Sequence, residues 1–129
     1  MELYNGSYYK NIKNNPMTNK RLFIEHPKSS EFISLTDIIY CRAEKNWTII
    51  VLKGQVFFDI CQALKTIEER INSDYFMRVH RSYLVNLHHI EKIQGCYERL
   101  EMTEGLSVTI SRRRKKELKQ ALRKVMRLG

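Results

Sequence analysis

What constrains this chain most is a train of short β-type runs that begins near Leu22 and is interrupted only once. Residues 22–25, 32–35, 38–42, 47–52 and 55–58 are rich in Ile, Val, Phe, Tyr and Trp and are separated by turn residues. The pattern resumes over residues 75–80, 83–85, 90–94, 97–102 and 106–110, with Gly95 and Glu104-Gly105 at turns. Lys53-Gly54 reads as a tight hairpin turn. Between the two series, Ile60, Leu64, Ile67 and Ile71 recur at helical spacing, and Asp59 with Gln62 resembles a capping box. One amphipathic helix is therefore expected over about residues 60–71, with Lys65, Glu68, Glu69 and Arg70 on its solvent side. Strands this short and this closely spaced pair with antiparallel neighbours. The expected fold is mainly β: an antiparallel sheet or sandwich with one packed helix.

A length of 129 residues accommodates one such domain. The polar, Asn-rich residues 1–19 read as a flexible leader, leaving residues 20–129 as the domain. The longest apolar stretch, residues 47–52, falls far short of the roughly 20 residues a bilayer-spanning helix needs, so no membrane insertion is expected. The leader holds no apolar core of a secretory signal. Cys41, Cys61 and Cys96 are widely spaced and lack a C-x-x-C pattern, which fits reduced thiols and a cytoplasmic location.

Charge is distributed very unevenly. The formal net charge is +9, and from Arg112 to the C-terminus nine basic residues face one acid, Glu117. Residues 1–111 hold 14 basic and 13 acidic side chains and are nearly neutral. Leu118, Ala121, Leu122 and Val125 recur at helical spacing within the basic tail, so a docked basic helix is expected over about residues 112–127. Ser111 is placed to cap it. Five cations, Arg112 to Lys116, then crowd a first turn where the helix dipole already disfavours positive charge. Such a violation points to a polyanionic partner, with free amides and guanidinium groups meeting a phosphate.

Catalytic signals are weak. His80, His88 and His89 lack a second group of ligands, and adjacent strand residues point to opposite faces, so neither metal nor cofactor is expected. The glycines are scattered singly, without a phosphate-binding loop. An enzyme is not expected. The densest stretch is residues 76–87, where alternation places Phe76, Arg78 and His80 on one side of a strand and Met77 and Val79 on the other. Arg78, His80, Arg81 and Asn86 are donor-rich side chains of the kind that bond phosphate oxygens and base edges.

Residues 75–87 (YFMRVHRSYLVNL) followed by Ile90-Glu91-Lys92-Ile93 resemble the central motif of the LytTR family of bacterial DNA-binding domains. Residues 37–48 (DIIYCRAEKNWT) resemble the strand and loop before that family's first DNA contact, and residues 108–113 (VTISRR) its closing strand and last helix. The resemblance spans about residues 21–122. It implies an elongated sandwich of small antiparallel sheets and sequence-specific binding of double-stranded DNA by a bacterial transcription regulator, with loops entering successive major grooves. Carried over by position, it implies base contacts by Asn46, Trp47, His80, Arg81 and Arg113, and phosphate contacts by Lys45, Arg78, Arg112, Arg114 and Lys115. Trp47 departs from the smaller or more polar ring frequent in the family; it could stack on the backbone, meet a thymine methyl or belong to the core.

In the better-known architecture the module is the output of a two-component response regulator and follows a receiver domain. Nineteen leader residues cannot form one, so the chain is expected to be either a domain excised from a longer protein or a free-standing member regulated by a separate protein or by abundance. A homodimer, or paired copies on repeated half-sites, is the expected bound form. Two other classes fit the basic tail: an RNA-binding or ribosome-associated β protein, and a protein-interaction module presenting a basic amphipathic helix.

Overall fold

The computed structural model describes residues 20–126; the expected leader, residues 1–19, and position 127 of the expected basic helix lie outside them. Among the described residues, ten strands form three antiparallel sheets. The centre is a five-stranded sheet built from β3 (Ile38–Glu44), β4 (Trp47–Leu52), β5 (Val56–Ile60), β6 (Phe76–His80) and β7 (Tyr83–Asn86), in the order β5-β4-β3-β7-β6. On one face lie the hairpin of β1 (Arg21–Ile24) and β2 (Glu31–Ser34) and the helix α1 (Leu64–Ile71). On the other lies the sheet of β8 (Ile90–Gln94), β9 (Arg99–Met102) and β10 (Ser107–Thr109), with the helix α2 (Lys115–Ala121).

Two cores follow from this layering. Ile38, Cys41, Ile50 and Leu84 pack with Leu22, Ile33, Leu64, Ile67 and Ile71 on the first face. Ile39, Val79 and Val85 pack with Leu100, Met102, Val108, Leu118 and Leu122 on the second. A strand buried on both faces loses the simple apolar–polar alternation, as β4 does over residues 49–52 and β7 over residues 83–85. Burial pushes the Cys41 thiol up to about 12, so it is an inert core group.

The helix expected over residues 60–71 starts at Leu64. Asp59 and Ile60 belong to β5, where Ile60 pairs with Thr48, and Ala63 takes the cap position without a side-chain bond. The capping box is absent because Ile60 satisfies the strand ladder as well as the helical spacing, and the ladder wins. Thr48, fully buried, then donates its hydroxyl to the Gln62 carbonyl at 2.7 Å and closes the corner between strand and helix. Asn72 ends α1 in the left-handed region at φ 44°. The solvent side of α1 is also less idle than expected. Arg70 bonds Gln62 and the Phe23 carbonyl, and Glu68 pairs with Arg78.

The tight turn at Lys53-Gly54 contains a third residue, Gln55, with Gly54 at φ 83° and Gln55 at φ 61°. The basic helix opens as a 3-10 turn, Arg112–Arg114, becomes α-helical at Lys115–Ala121, and continues with wider π-type bonding over Leu122–Met126. Leu118 and Leu122 are buried against the second sheet, so the apolar stripe of this helix is consumed within the fold. None of the helices among the described residues is long and apolar enough to cross a membrane.

Candidate nucleic-acid interface

Three turns gather at one end of the central sheet. The first, Lys45-Asn46, joins β3 to β4 with Glu44 opposite Trp47. The second, Arg81-Ser82, joins β6 to β7 with His80 opposite Tyr83. Because β3 and β7 are antiparallel neighbours, with Arg42 opposite Tyr83, these two turns lie side by side; the Ala43 amide donates to the Ser82 carbonyl at 2.8 Å. The third, Arg112–Arg114, follows β10 and is tied to the outermost strand of the row by the Ser111 amide, which donates to the Val79 carbonyl at 2.8 Å.

Lys45, Asn46, Trp47, Arg81, Arg112 and Arg113 are all exposed. Among the described residues, Lys45, Arg81, Arg112, Arg113 and Lys115 have no acidic partner within ion-pair distance. Arg114 differs, pairing with Glu117 at 3.1 Å, and Arg42 is matched by Glu44 at 2.5 Å. The end of the sheet therefore presents, on three short turns, a row of cations without acidic partners among the described residues, an arrangement suited to phosphate and base-edge acceptors. Trp47 is 46% exposed beside Lys45 and Asn46, which removes the core reading of that residue.

A β-bulge determines where His80 points. Arg78 pairs with Leu84 but the next pair is His80 with Tyr83, so Val79 is the extra residue. Simple alternation would have put His80 with Phe76 and Arg78. The bulge turns it instead to the face of Tyr83, whose ring it meets edge-on at 5.5 Å. Its Nδ1 accepts from the Ser82 amide at 3.0 Å, which places the ring proton of the neutral form on Nε2 as a donor.

Two donor-rich residues are committed to the fold. Asn86 is fully buried, and its Nδ2 donates to the carbonyls of Ile38, at 2.9 Å, and Leu35, at 3.3 Å. Its Oδ1 accepts from the His88 amide at 2.9 Å, so it locks β7 to the start of β3 rather than reaching outward. Arg78 donates to the Arg81 carbonyl at 2.6 Å and pairs with Glu68 at 3.4 Å. The role of Glu68 has no signal in the sequence, since it depends on α1 packing beside β6. Ser111 occupies the cap position without a side-chain bond; its carbonyl, not its hydroxyl, accepts from the Arg114 amide at 3.0 Å.

The three histidines considered as metal ligands are dispersed. His89 bonds the Thr103 hydroxyl and the Thr36 carbonyl, both at 2.8 Å, and His88 stacks on Tyr75 with centroids 4.3 Å apart. Partial burial and the neighbouring His89 hold His88 below the usual imidazole range. Among the described residues no group of His, Cys, Asp or Glu is arranged to hold a metal ion.

A β frame that carries a row of cationic turns at one end defines a nucleic-acid-binding class of module, and comparison with known proteins makes the class specific. The family model of the LytTr DNA-binding domain matches residues 28–123. The chain is 43% identical over 106 residues to the sensory transduction protein LytT of Bacillus anthracis, and 30% identical over 106 residues to that of Bacillus cereus. In both cases the match covers 80% of this chain and 43% of the relative. The transcriptional regulatory protein LytR of Staphylococcus aureus is 31% identical over 68 residues, covering 50% of this chain and 28% of the relative. The chain thus spans less than half the length of these curated relatives. A solved LytTr DNA-binding domain from Bacillus cereus superposes with a TM-score of 0.69 at 20% identity, covering 81% of this chain and 97% of the other. The chain belongs to the LytTr DNA-binding domain family, a binding family and not an enzyme class.

Proposed function

We propose that this chain binds double-stranded DNA sequence-specifically as the DNA-reading part of a bacterial transcription regulator, with the three aligned turns as its contact surface. The observation that carries this reading is the row of exposed cations, without acidic partners among the described residues, across three adjacent turns at one end of the central sheet. Arg81 and Arg113 are the principal base readers, because a guanidinium fork matches guanine O6 and N7. His80 adds an Nε2 donor, and Asn46 and Trp47 contact bases from the first turn. Lys45, Arg112, Arg114 and Lys115 anchor phosphates. Arg78, expected among the phosphate contacts, has its guanidinium engaged within the fold instead. The turns address successive major grooves, and two copies occupy repeated half-sites about one helical turn apart.

The relatives named for sensory transduction and transcriptional regulation support placement in a two-component response-regulator system, where a separate domain or protein supplies the signal. Selection of bound duplexes from a random pool tests the reading directly. A repeated motif whose preference at one or two bases is lost in Arg81→Ala and Arg113→Ala is the expected result. Stronger competition by single-stranded RNA than by the selected duplex, at fixed salt, would overturn it in favour of an RNA-binding module.

A further inference from the structure

The Arg81–Ser82 peptide group is held from both sides. Its carbonyl accepts from a terminal nitrogen of Arg78 at 2.6 Å, and its N–H donates to His80 Nδ1 at 3.0 Å. A peptide unit is planar, so fixing its oxygen and its hydrogen fixes its orientation and constrains the direction in which the Arg81 side chain leaves the backbone. The Arg78 side chain is 22% exposed, its Nε is buried, and its other terminal nitrogen pairs with Glu68 of α1 at 3.4 Å. The guanidinium therefore spans from a helix on one face of the sheet to the backbone of the second turn.

We propose that Arg78, held by Glu68, is a positioning residue that sets the Arg81 turn for base reading and is not itself a phosphate contact. The proposal rests on the reading of Arg81 as a base contact. Glu68 lies in α1, not in any of the three turns, yet it controls the donor that pins the reading turn. The two roles leave different signatures. A phosphate contact contributes about one unit to the salt slope of binding and affects every sequence alike. A positioning residue leaves that slope unchanged and weakens discrimination only at the bases Arg81 reads.

Glu68→Ala separates the roles most cleanly, because the carboxylate is partly exposed and its removal should spare the core. Deleting an acid makes the protein more cationic, so simple electrostatics predicts equal or tighter binding to every duplex. Positioning predicts the opposite at one place: about a tenfold or smaller loss of preference at the Arg81 bases, the scale of one ordinary intramolecular hydrogen bond. Binding of the selected duplex and its single-base variants is measured across a salt series for wild type, Glu68→Ala, Arg78→Lys, Arg81→Ala and the Arg78→Lys/Arg81→Ala pair. Thermal melting of each confirms folding. The expected result is loss of preference at the same bases in all four variants, an unchanged salt slope for Glu68→Ala and Arg78→Lys, and no further loss in the double variant. Uniform weakening by Arg78→Lys, or full preference retained in Glu68→Ala, would overturn the positioning role while leaving Arg81 as a reader. Undiminished preference in Arg81→Ala would instead overturn the reading of Arg81, and the positioning role with it.

Discussion

The first and second turns are neighbours at one sheet end, yet they are built differently. Around Arg81-Ser82, the side chains of Arg78 and His80 and the Ala43 amide all bond the turn backbone. At Lys45-Asn46 the hairpin ladder alone shapes the turn among the described residues, with Lys45 at φ 56° and the Arg42–Glu44 pair just before it. A turn ordered before binding spends less entropy on contact, and its donors meet one geometry only. A turn left to its ladder adapts to whichever backbone it meets. On the proposed reading, the sharper discrimination is expected from the braced turn and more accommodation from the unbraced one. The third turn sides with the second, since the Ser111–Val79 bond and the buried Leu118 fasten it to the same strand and sheet.

The strongest way to break this contrast is to loosen the third turn from behind. Leu118 is fully buried, and Leu118→Ala should cost about 2–5 kcal/mol in denaturant unfolding, through lost burial and the cavity left behind. Affinity for the selected duplex should fall in the same variant. A cost near that of a surface substitution would mean that α2 does not anchor the turn. Next in size is Asn86→Ala, which strands the buried carbonyls of Leu35 and Ile38 and the His88 amide. A loss of about 1–3 kcal/mol is expected for groups left unpaired in this way. Stability unaffected by Asn86→Ala would show that the β7–β3 lock does not support the turns.

Sharper still is a matched pair of substitutions in the two turns themselves. Arg81→Ala should remove about 1–3 kcal/mol of discrimination at one or two base pairs. Lys45→Ala should weaken all duplexes alike and lower the salt slope by about one unit. Base-specific loss from Lys45→Ala, with uniform loss from Arg81→Ala, would invert the comparison.

These contrasts were only partly legible in the sequence. Strands β4 and β8 read with the bounds they have, because the largely apolar run of β4 ends at Lys53-Gly54 and the β-type run of β8 ends at Gly95. The start of α1 did not, since Ile60 suits a period of two and a period of 3.6 equally well. The bulge at Val79 carries no compositional mark, so simple alternation put His80 on the wrong face. Asn86 and Arg78 were indistinguishable from surface donors by residue type; only their neighbours, Ile38, Leu35, Arg81 and Glu68, show that they serve the frame. The turn residues themselves came from the resemblance to the LytTR family, and their chemistry alone favoured nucleic acid only weakly.

The smallest expected effect separates the two ends of the sheet. His88 follows β7 at the end away from the three turns, where Phe76 pairs with Asn86 and the His88 ring stacks on Tyr75. Its folded-state value lies below the ordinary 6.5, first through burial and then through His89. The unfolded chain therefore binds a proton here more readily than the folded one. The stabilisation this represents is present above pH 6.5 and is lost as pH falls from there through the lower folded value. Melting temperature should drop modestly over that interval, and His88→Gln should flatten that part of the curve. Tyr75 and His88 lie outside the contact row, so the same substitution should leave base preference at pH 7.5 unchanged. An unaltered acid slope in His88→Gln would assign the pH response to other groups, and altered base preference would join the far end of the sheet to the reading turns.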